Sequence, residues 1–384
     1  MTFDHYDPEF ARDPYPTLAQ LRERCPIVHS DDHDGYWMVS SHELVRHVAL
    51  HPEVFSTQYT TVPPQFAFGE IRIPPLQLEP AEHTRVKQLL TPPFGPARAA
   101  ALEPSTRAAA VALLDDLVPK GRFDASQDFA RLIPTGVIGQ LLGIPEEFDR
   151  LTSWVKRMIE HLTDNIDDVM AAGMEMFMFM SDLVEKRRVD PGDDLVSAIL
   201  ASEVDGQRLE PVEVVMSSVI FVLAGIDTAW STLGCALHYL ATHPEDQQRL
   251  RGEPELLETA REEFLRAFAP IATARICKED TEVGGQAIKA GEMVLVSFPS
   301  ACRDAGEFEA PEEVRLDRLP NRHMAFGTGI HRCLGVNVAR MELRVALEEF
   351  LRRVPPFRLD GDEGEAVDWT LGQVRGPKQL LITF

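Results

Sequence analysis

Two periods of apolar and polar residues run along the chain, and the longer one dominates. Apolar side chains recur at three- and four-residue intervals over Glu82–Leu90, Pro104–Val118, Phe129–Leu142, Phe148–Leu162, Val169–Arg188 and Leu195–Ser202. That spacing places them on one face of a helix. Ser41 stands where it can cap a further helix through Leu50, which ends ahead of Pro52. Two zones follow the shorter period instead. Ile27–His29 and Tyr36–Val39 flank the turn-forming run Asp31-Asp32-His33-Asp34-Gly35, which predicts a hairpin. Between Thr273 and Phe298 the short β-forming runs Arg275–Cys277, Glu282–Val283 and Met293–Val296 alternate with turns at Gly284-Gly285 and Ala290-Gly291. Neither a long Gly/Ser linker nor an internal repeat interrupts the pattern. The expectation is a single, mainly α domain with small β-sheets (α+β) over residues 1–384, its β-rich parts near 25–60 and 273–320.

The segment Val212–His243 is apolar enough to raise a second reading. Asp227 is its only full charge between Val214 and Thr242. A helix of that length could cross a bilayer. Ser217, Ser218, Asp227, Thr228, Ser231, Thr232 and His238 punctuate it, however, and a charge near a bilayer centre costs roughly 3 kcal/mol or more. A core helix about 45 Å long is the better reading. Within it, Ala224-Gly225-Ile226-Asp227-Thr228 sets an acid beside a hydroxyl in apolar surroundings, an expensive arrangement unless the pair is partnered or functional. Gly225 leaves room where a ligand could approach.

Composition narrows the class. With 384 residues, 44% of them hydrophobic, the chain has material for a large core. Its 38 basic and 61 acidic residues give a formal charge of -23, which disfavours nucleic acid as a partner. Five dispersed cysteines without a CxxC pair suit a reducing compartment. Acids and prolines fill the first residues where an export signal carries a basic start and an apolar run, so a cytoplasmic protein without a membrane anchor is expected.

The most informative stretch is Phe326-Gly327-Thr328-Gly329-Ile330-His331-Arg332-Cys333-Leu334-Gly335. Its glycines let the backbone approach a bulky group and let amides point at the sulfur. Leu334, Val338, Met341 and Val345 then form a helical stripe, so Cys333 lies at a helix N-terminus, where thiolate is favoured. A thiolate there is a nucleophile or a metal ligand.

This stretch matches every fixed position of FGxGxHxCLG, and the chain thereby resembles the cytochromes P-450, haem-thiolate monooxygenases. Ala224-Gly225-Ile226-Asp227-Thr228 resembles their oxygen-activation motif, Glu263-Phe264-Leu265-Arg266 their ExxR motif, and Arg318 its partner arginine. Taken alone, ExxR would be an ordinary i, i+3 surface contact. Four motifs in order extend the resemblance over essentially the whole chain, and the absence of an anchor makes it similar to the soluble bacterial type.

The resemblance implies a single triangular-prism domain holding haem b, iron protoporphyrin IX, between the long helix and the cysteine loop. It implies Cys333 as the iron ligand, a thiolate favouring O–O cleavage, and Asp227 with Thr228 as the proton-delivering pair. It assigns His83, Lys87, Arg275 and His331 to the propionates, with Ala224, Phe326, Gly327 and Gly335 also against the cofactor. His83 and Lys87 share a helix face, although an exposed amphipathic helix would show the same spacing. Lys87 stands where the family more often has arginine, and it keeps the charge but loses the bidentate fork. Glu263, Arg266 and Arg318 would be structural.

The implied reaction is hydroxylation of a C–H bond in an apolar small molecule, using dioxygen and electrons from NAD(P)H through a ferredoxin or flavodoxin, by a monomer. The implied pocket takes Phe66, Phe68 and Ile71 from a proline-rich loop, Phe221 and Val222 from the long helix, and Ile271, Ala272 and Thr273 from the strand approach. Val169–Met180, rich in methionine, lies in the family's lid, though core packing suits most of these positions. An acidic redox partner would need local positive charge, with Arg98, Arg107, Arg332 and Arg340 as candidates. Alternatives are a peroxide-driven or atypical haem-thiolate oxidase, and a non-catalytic haem-binding protein in which Asp227 and Thr228 would have no purpose.

Overall fold

Strand pairing in the first half of the chain starts from the hairpin. In a computed structural model that describes residues 3–63, 72–160 and 165–384, Ile27–Ser30 pairs antiparallel with Tyr36–Val39, Ile27 opposite Val39 and Ser30 opposite Tyr36. Positive φ angles at His33, Asp34 and Gly35 close the turn between them. Tyr36–Val39 then runs parallel to Met293–Ser297, which pairs antiparallel with Ala272–Cys277, and Phe55–Ser56 completes the five-stranded sheet. Ser41 caps the helix His42–Leu50, its hydroxyl accepting from the Leu44 amide at 3.3 Å. These elements belong to one compact unit, Met1–Arg85 with Glu262–Cys333 and Leu371–Arg375. Its core gathers Phe3, Leu18, Leu21, Val28, Tyr36, Met38, Val62, Ala274 and Leu295.

The second compact unit, Val86–Arg261 with Leu334–Thr370 and Gly376–Phe384, is mostly helical. Its helices include Pro96–Leu117, Leu132–Leu141, Phe148–Glu160, Ile166–Val189, Leu195–Ala201, Pro211–Thr242 and Val336–Arg353. The Phe350 ring lies 5.1 Å from Phe129, tilted, and 5.1 Å from Phe357, edge-to-face, in an aromatic centre. Pro211–Thr242 is the one helix among the described residues long and apolar enough to cross a membrane. Ser217, Ser218 and Trp230 on it are buried, and it packs against Leu132–Leu141 and Ile166–Val189 as a core helix.

Two expectations need correction. The helix expected from Pro104 starts at Pro96, with Pro104 in its interior. The alanine-rich run before Pro104 favours helix, and the carbonyl that proline leaves without a donor belongs to exposed Ala100, where water can serve it. The helix-rich remainder also contains a sheet, in which Pro377–Thr383 pairs with Val367–Trp369, Arg122–Asp124 and Arg358–Leu359. Three of these strands are only two or three residues long, too short for a period of two to register.

Candidate active site

Glu263 and Arg266 lie one turn apart on the helix Leu257–Ala267, and both are fully buried. Arg266 donates from Nε and Nη2 to the two Glu263 oxygens, each at 2.8 Å, and from Nη1 and Nη2 to the carbonyls of Cys302, Pro311 and Glu313. Arg318 Nε lies 3.0 and 2.9 Å from the same carboxylate. The Arg315 amide and Asn321 Nδ2 complete the set, at 2.8 and 3.1 Å. A saturated buried network replaces the surface pair that the spacing alone suggested. Arg315 and Asn321 carried no sequence signal, because only the fold brings them to Glu263.

The cysteine segment forms a tight loop in the same unit. The Cys333 amide donates to the Phe326 carbonyl at 2.9 Å, and Gly327 and Gly329 take φ of 66° and 70°. A Cβ on Gly329 would come within 2.8 Å of the Ala49 carbonyl oxygen, so the loop rests directly on the end of the helix His42–Leu50. Cys333 is exposed, two residues before Gly335, the N-cap of Val336–Arg353. Phe326 and His331 are half-buried beside it in sequence.

His83 is buried, with its ring centroid 4.2 Å from that of His331. Lys87 is half-buried one turn further along the helix Pro80–Leu90. Arg275 is buried on Ala272–Cys277, donating from Nη1 to the Ala274 carbonyl at 2.7 Å and to Thr273 Oγ1 at 3.4 Å. No carboxylate pairs with it among the described residues, and burial pushes its guanidinium down to about 10. A buried cation without an anion is costly. An exposed thiol on a glycine loop, a buried histidine and an uncompensated arginine suit an iron porphyrin with anionic propionates, so these residues fit haem.

On the long helix, Ala224 is exposed and Asp227 and Thr228 are half-buried, although the turns on either side are largely buried. The helix therefore presents one accessible patch of polar chemistry. Thr228 Oγ1 donates to the Ala224 carbonyl at 2.7 Å, and Ser231 Oγ lies 3.5 Å from Asp227 Oδ1. Surrounding protein desolvates the Asp227 carboxyl and pushes it up to about 7, against a smaller opposing effect of the Ser231 hydroxyl. Gly225 serves a different purpose from the ligand approach expected of it: a Cβ there would lie 2.5 Å from Ile138 Cδ1, so its bare backbone makes room for helix Leu132–Leu141. Val222 is wholly buried and lines no accessible space, and Phe221 is buried edge-on against Phe94 at 5.1 Å. Packing within the unit occupies these two positions, and Ala224 is the residue turned outward.

Ile271, Ala272 and Thr273 are half-buried along one strand approach. The Thr60 carbonyl accepts from the Ala274 amide at 2.9 Å, from Thr273 Oγ1 at 3.2 Å and from Gln373 Nε2 at 2.5 Å. Phe66, Phe68 and Ile71 lie outside the described residues. Met176 and Met180 pack in the core, but Met170, Met174 and Met178 are exposed, so core packing accounts for fewer of these positions than expected. Arg107 is also corrected. It bridges Glu103, Glu348 and Glu349 at 2.6 to 2.9 Å, and these carboxylates occupy its guanidinium. Arg332 is exposed, Arg340 half-buried, and Arg98 lies 3.9 Å from Asp193.

Residues 124–384 match the family model for cytochrome P-450. The chain is 33% identical to mycinamicin IV hydroxylase/epoxidase of Micromonospora griseorubida over 95% of its own length and 94% of the relative's. It is 32% identical to vitamin D(3) 25-hydroxylase of Pseudonocardia autotrophica, covering 99% and 96%. The solved structure of a MycG variant with mycinamicin IV superposes with a TM-score of 0.85 at 31% identity, covering 96% of each chain. The protein belongs to the cytochrome P-450 family: it has that fold and a haem-thiolate cofactor, and it is a monooxygenase.

Proposed function

We propose that the protein uses haem b to hydroxylate an apolar small molecule of macrolide or steroid size, drawing electrons from NAD(P)H through a ferredoxin or flavodoxin in the cytoplasm, as a monomer whose two units act as one catalytic domain. The observation that carries this reading is the exposed Cys333 thiol on its glycine loop, in the same unit as a buried Arg275 that lacks a carboxylate. The names of the relatives, which act on mycinamicin and vitamin D(3), support a bulky apolar substrate.

Haem, when bound, supplies the redox-active iron at which dioxygen is reduced. Cys333 would hold the iron as thiolate. Arg275, His83 and His331, with Lys87 as a point charge, would hold the propionates, and Ala224 would be a further residue against the cofactor. Asp227 carries its proton near neutral pH and hands it to the Thr228 hydroxyl or to a water beside it. For that, Thr228 Oγ1 turns from the Ala224 carbonyl, to which it donates at rest. Ile271, Ala272, Thr273 and the loop with Phe66, Phe68 and Ile71 orient the substrate and exclude water. Arg332 meets an acidic redox partner.

The test is the carbon monoxide difference spectrum of the dithionite-reduced protein. A strongly red-shifted thiolate band that disappears in Cys333→Ser supports the reading. A band at the histidine-haem position in the parent protein overturns it.

A further inference from the structure

The end of the helix His42–Leu50 and its C-cap residue carry a pair of side chains that monooxygenase chemistry does not use. His47 lies in the last turn and His51, four residues on, is the C-cap. Their ring centroids are 4.4 Å apart, with an interplanar angle of 40°. His51 Nδ1 lies 2.8 Å from the carbonyl oxygen of His47. A carbonyl only accepts, so Nδ1 bears the hydrogen and Nε2 keeps its lone pair. Metal-binding histidines are oriented in this manner, one ring nitrogen donating to an oxygen while the other is free to ligate.

His47 is exposed and its ring is set edge-on to Phe55 at 6.3 Å. Desolvation, and then the neighbouring His51, lower its pKa from the ordinary value. Glu43, one turn earlier on the same face, and Glu53, just beyond the helix, both act on His47 electrostatically. Two carboxylates are therefore near enough to offset a cation.

We propose that His47 and His51 form a chelating site for a divalent first-row transition metal of the zinc, nickel or copper type, with water completing the coordination. Among the described residues no three His, Cys, Asp or Glu side chains are gathered to hold a metal. The site is thus an open two-imidazole clip, selective for ions that prefer nitrogen. It spans Ala49 and Leu50, and a Cβ on Gly329 of the cysteine loop would approach these two residues to 2.8 and 3.2 Å. A metal bridging positions 47 and 51 fastens the turn on which that loop rests.

Titration of the untagged holoenzyme with zinc chloride by calorimetry tests the site. One zinc per chain is expected, bound roughly tenfold to a hundredfold more weakly in His47→Ala. His51 also bonds to the helix end, so His47→Ala is the decisive variant; its far-ultraviolet dichroism and carbon monoxide spectrum should match the parent. Competition with a chromophoric chelator should rank copper above zinc. Absence of zinc binding in the parent, or an affinity in His47→Ala and in His47→Ala/His51→Ala equal to the parent's, overturns the proposal.

Discussion

Arg318 and Glu263 are 55 positions apart, yet Arg318 Nε lies within 3.0 Å of both oxygens of that carboxylate, which also takes two bonds from Arg266. One buried anion thus holds two guanidinium groups from separate segments. Its removal leaves both cations buried without a counter-charge, the condition under which breaking a buried pair costs about 3–5 kcal/mol. Glu263→Gln is therefore expected to lower the urea midpoint by a corresponding amount. A midpoint equal to that of the parent would show that the network adds nothing to stability.

Arg275 leads to a prediction on cofactor retention. Without an anion the buried guanidinium is destabilising, a cost that the propionates of the proposed haem site would relieve. Arg275→Leu should keep its fold but lose haem faster, measured as transfer to excess apomyoglobin. Arg275→Lys should fall between the two, since it keeps the charge but not the fork.

The Asp227 carboxyl makes activity and stability fall together as pH rises, while its removal shifts the two in opposite directions. Its carboxyl is pushed from 3.8 to about 7, so it is neutral and proton-bearing below about pH 7. Turnover should fall as pH rises through 7, and Asp227→Asn should remove that dependence while lowering turnover roughly a hundredfold. Stability follows linkage: the unfolded chain ionises first, so this residue's contribution declines as pH rises from about 4 to 7 and stays low above that. Asp227→Asn should therefore be more resistant to urea than the parent at pH 8. Thr228→Ala should keep consuming NAD(P)H while product falls and peroxide rises.

Gly225 tests helix packing. A methyl group there meets Ile138 Cδ1 at 2.5 Å, and such overpacking typically costs about 1–3 kcal/mol. Gly225→Ala should be destabilised, and Gly225→Ala/Ile138→Val should recover much of the loss, because the clashing atom is the one that valine lacks. Additive effects in a double-mutant cycle would assign the cost elsewhere.

The motifs around Cys333, Glu263 and Asp227 were legible because their residue types are unusual at those spacings. What they touch was not. An i, i+3 acid and base look alike on a surface and in a core, so the depth of Glu263 came only from the chain folding back at Arg315, Arg318 and Asn321. The long helix is apolar on every side, so its pattern does not distinguish the side of Val222, turned into the core, from that of Ala224, turned outward. Gly225 was misassigned for the same reason. Arg107 reads as a free surface charge until Val336–Arg353 brings Glu348 and Glu349 to it. The short strands Arg122–Asp124 and Val367–Trp369 exist only through their partners in Pro377–Thr383.

The Thr60 carbonyl joins three parts of the chain that no local rule connects: the segment leading to the proline-rich loop, the strand carrying Ala272 and Thr273, and the turn at Gln373. Lengthening or shortening any of them would displace the other two. A change of length in any one segment therefore perturbs all three at once, whereas exchange of a side chain leaves the shared oxygen in place.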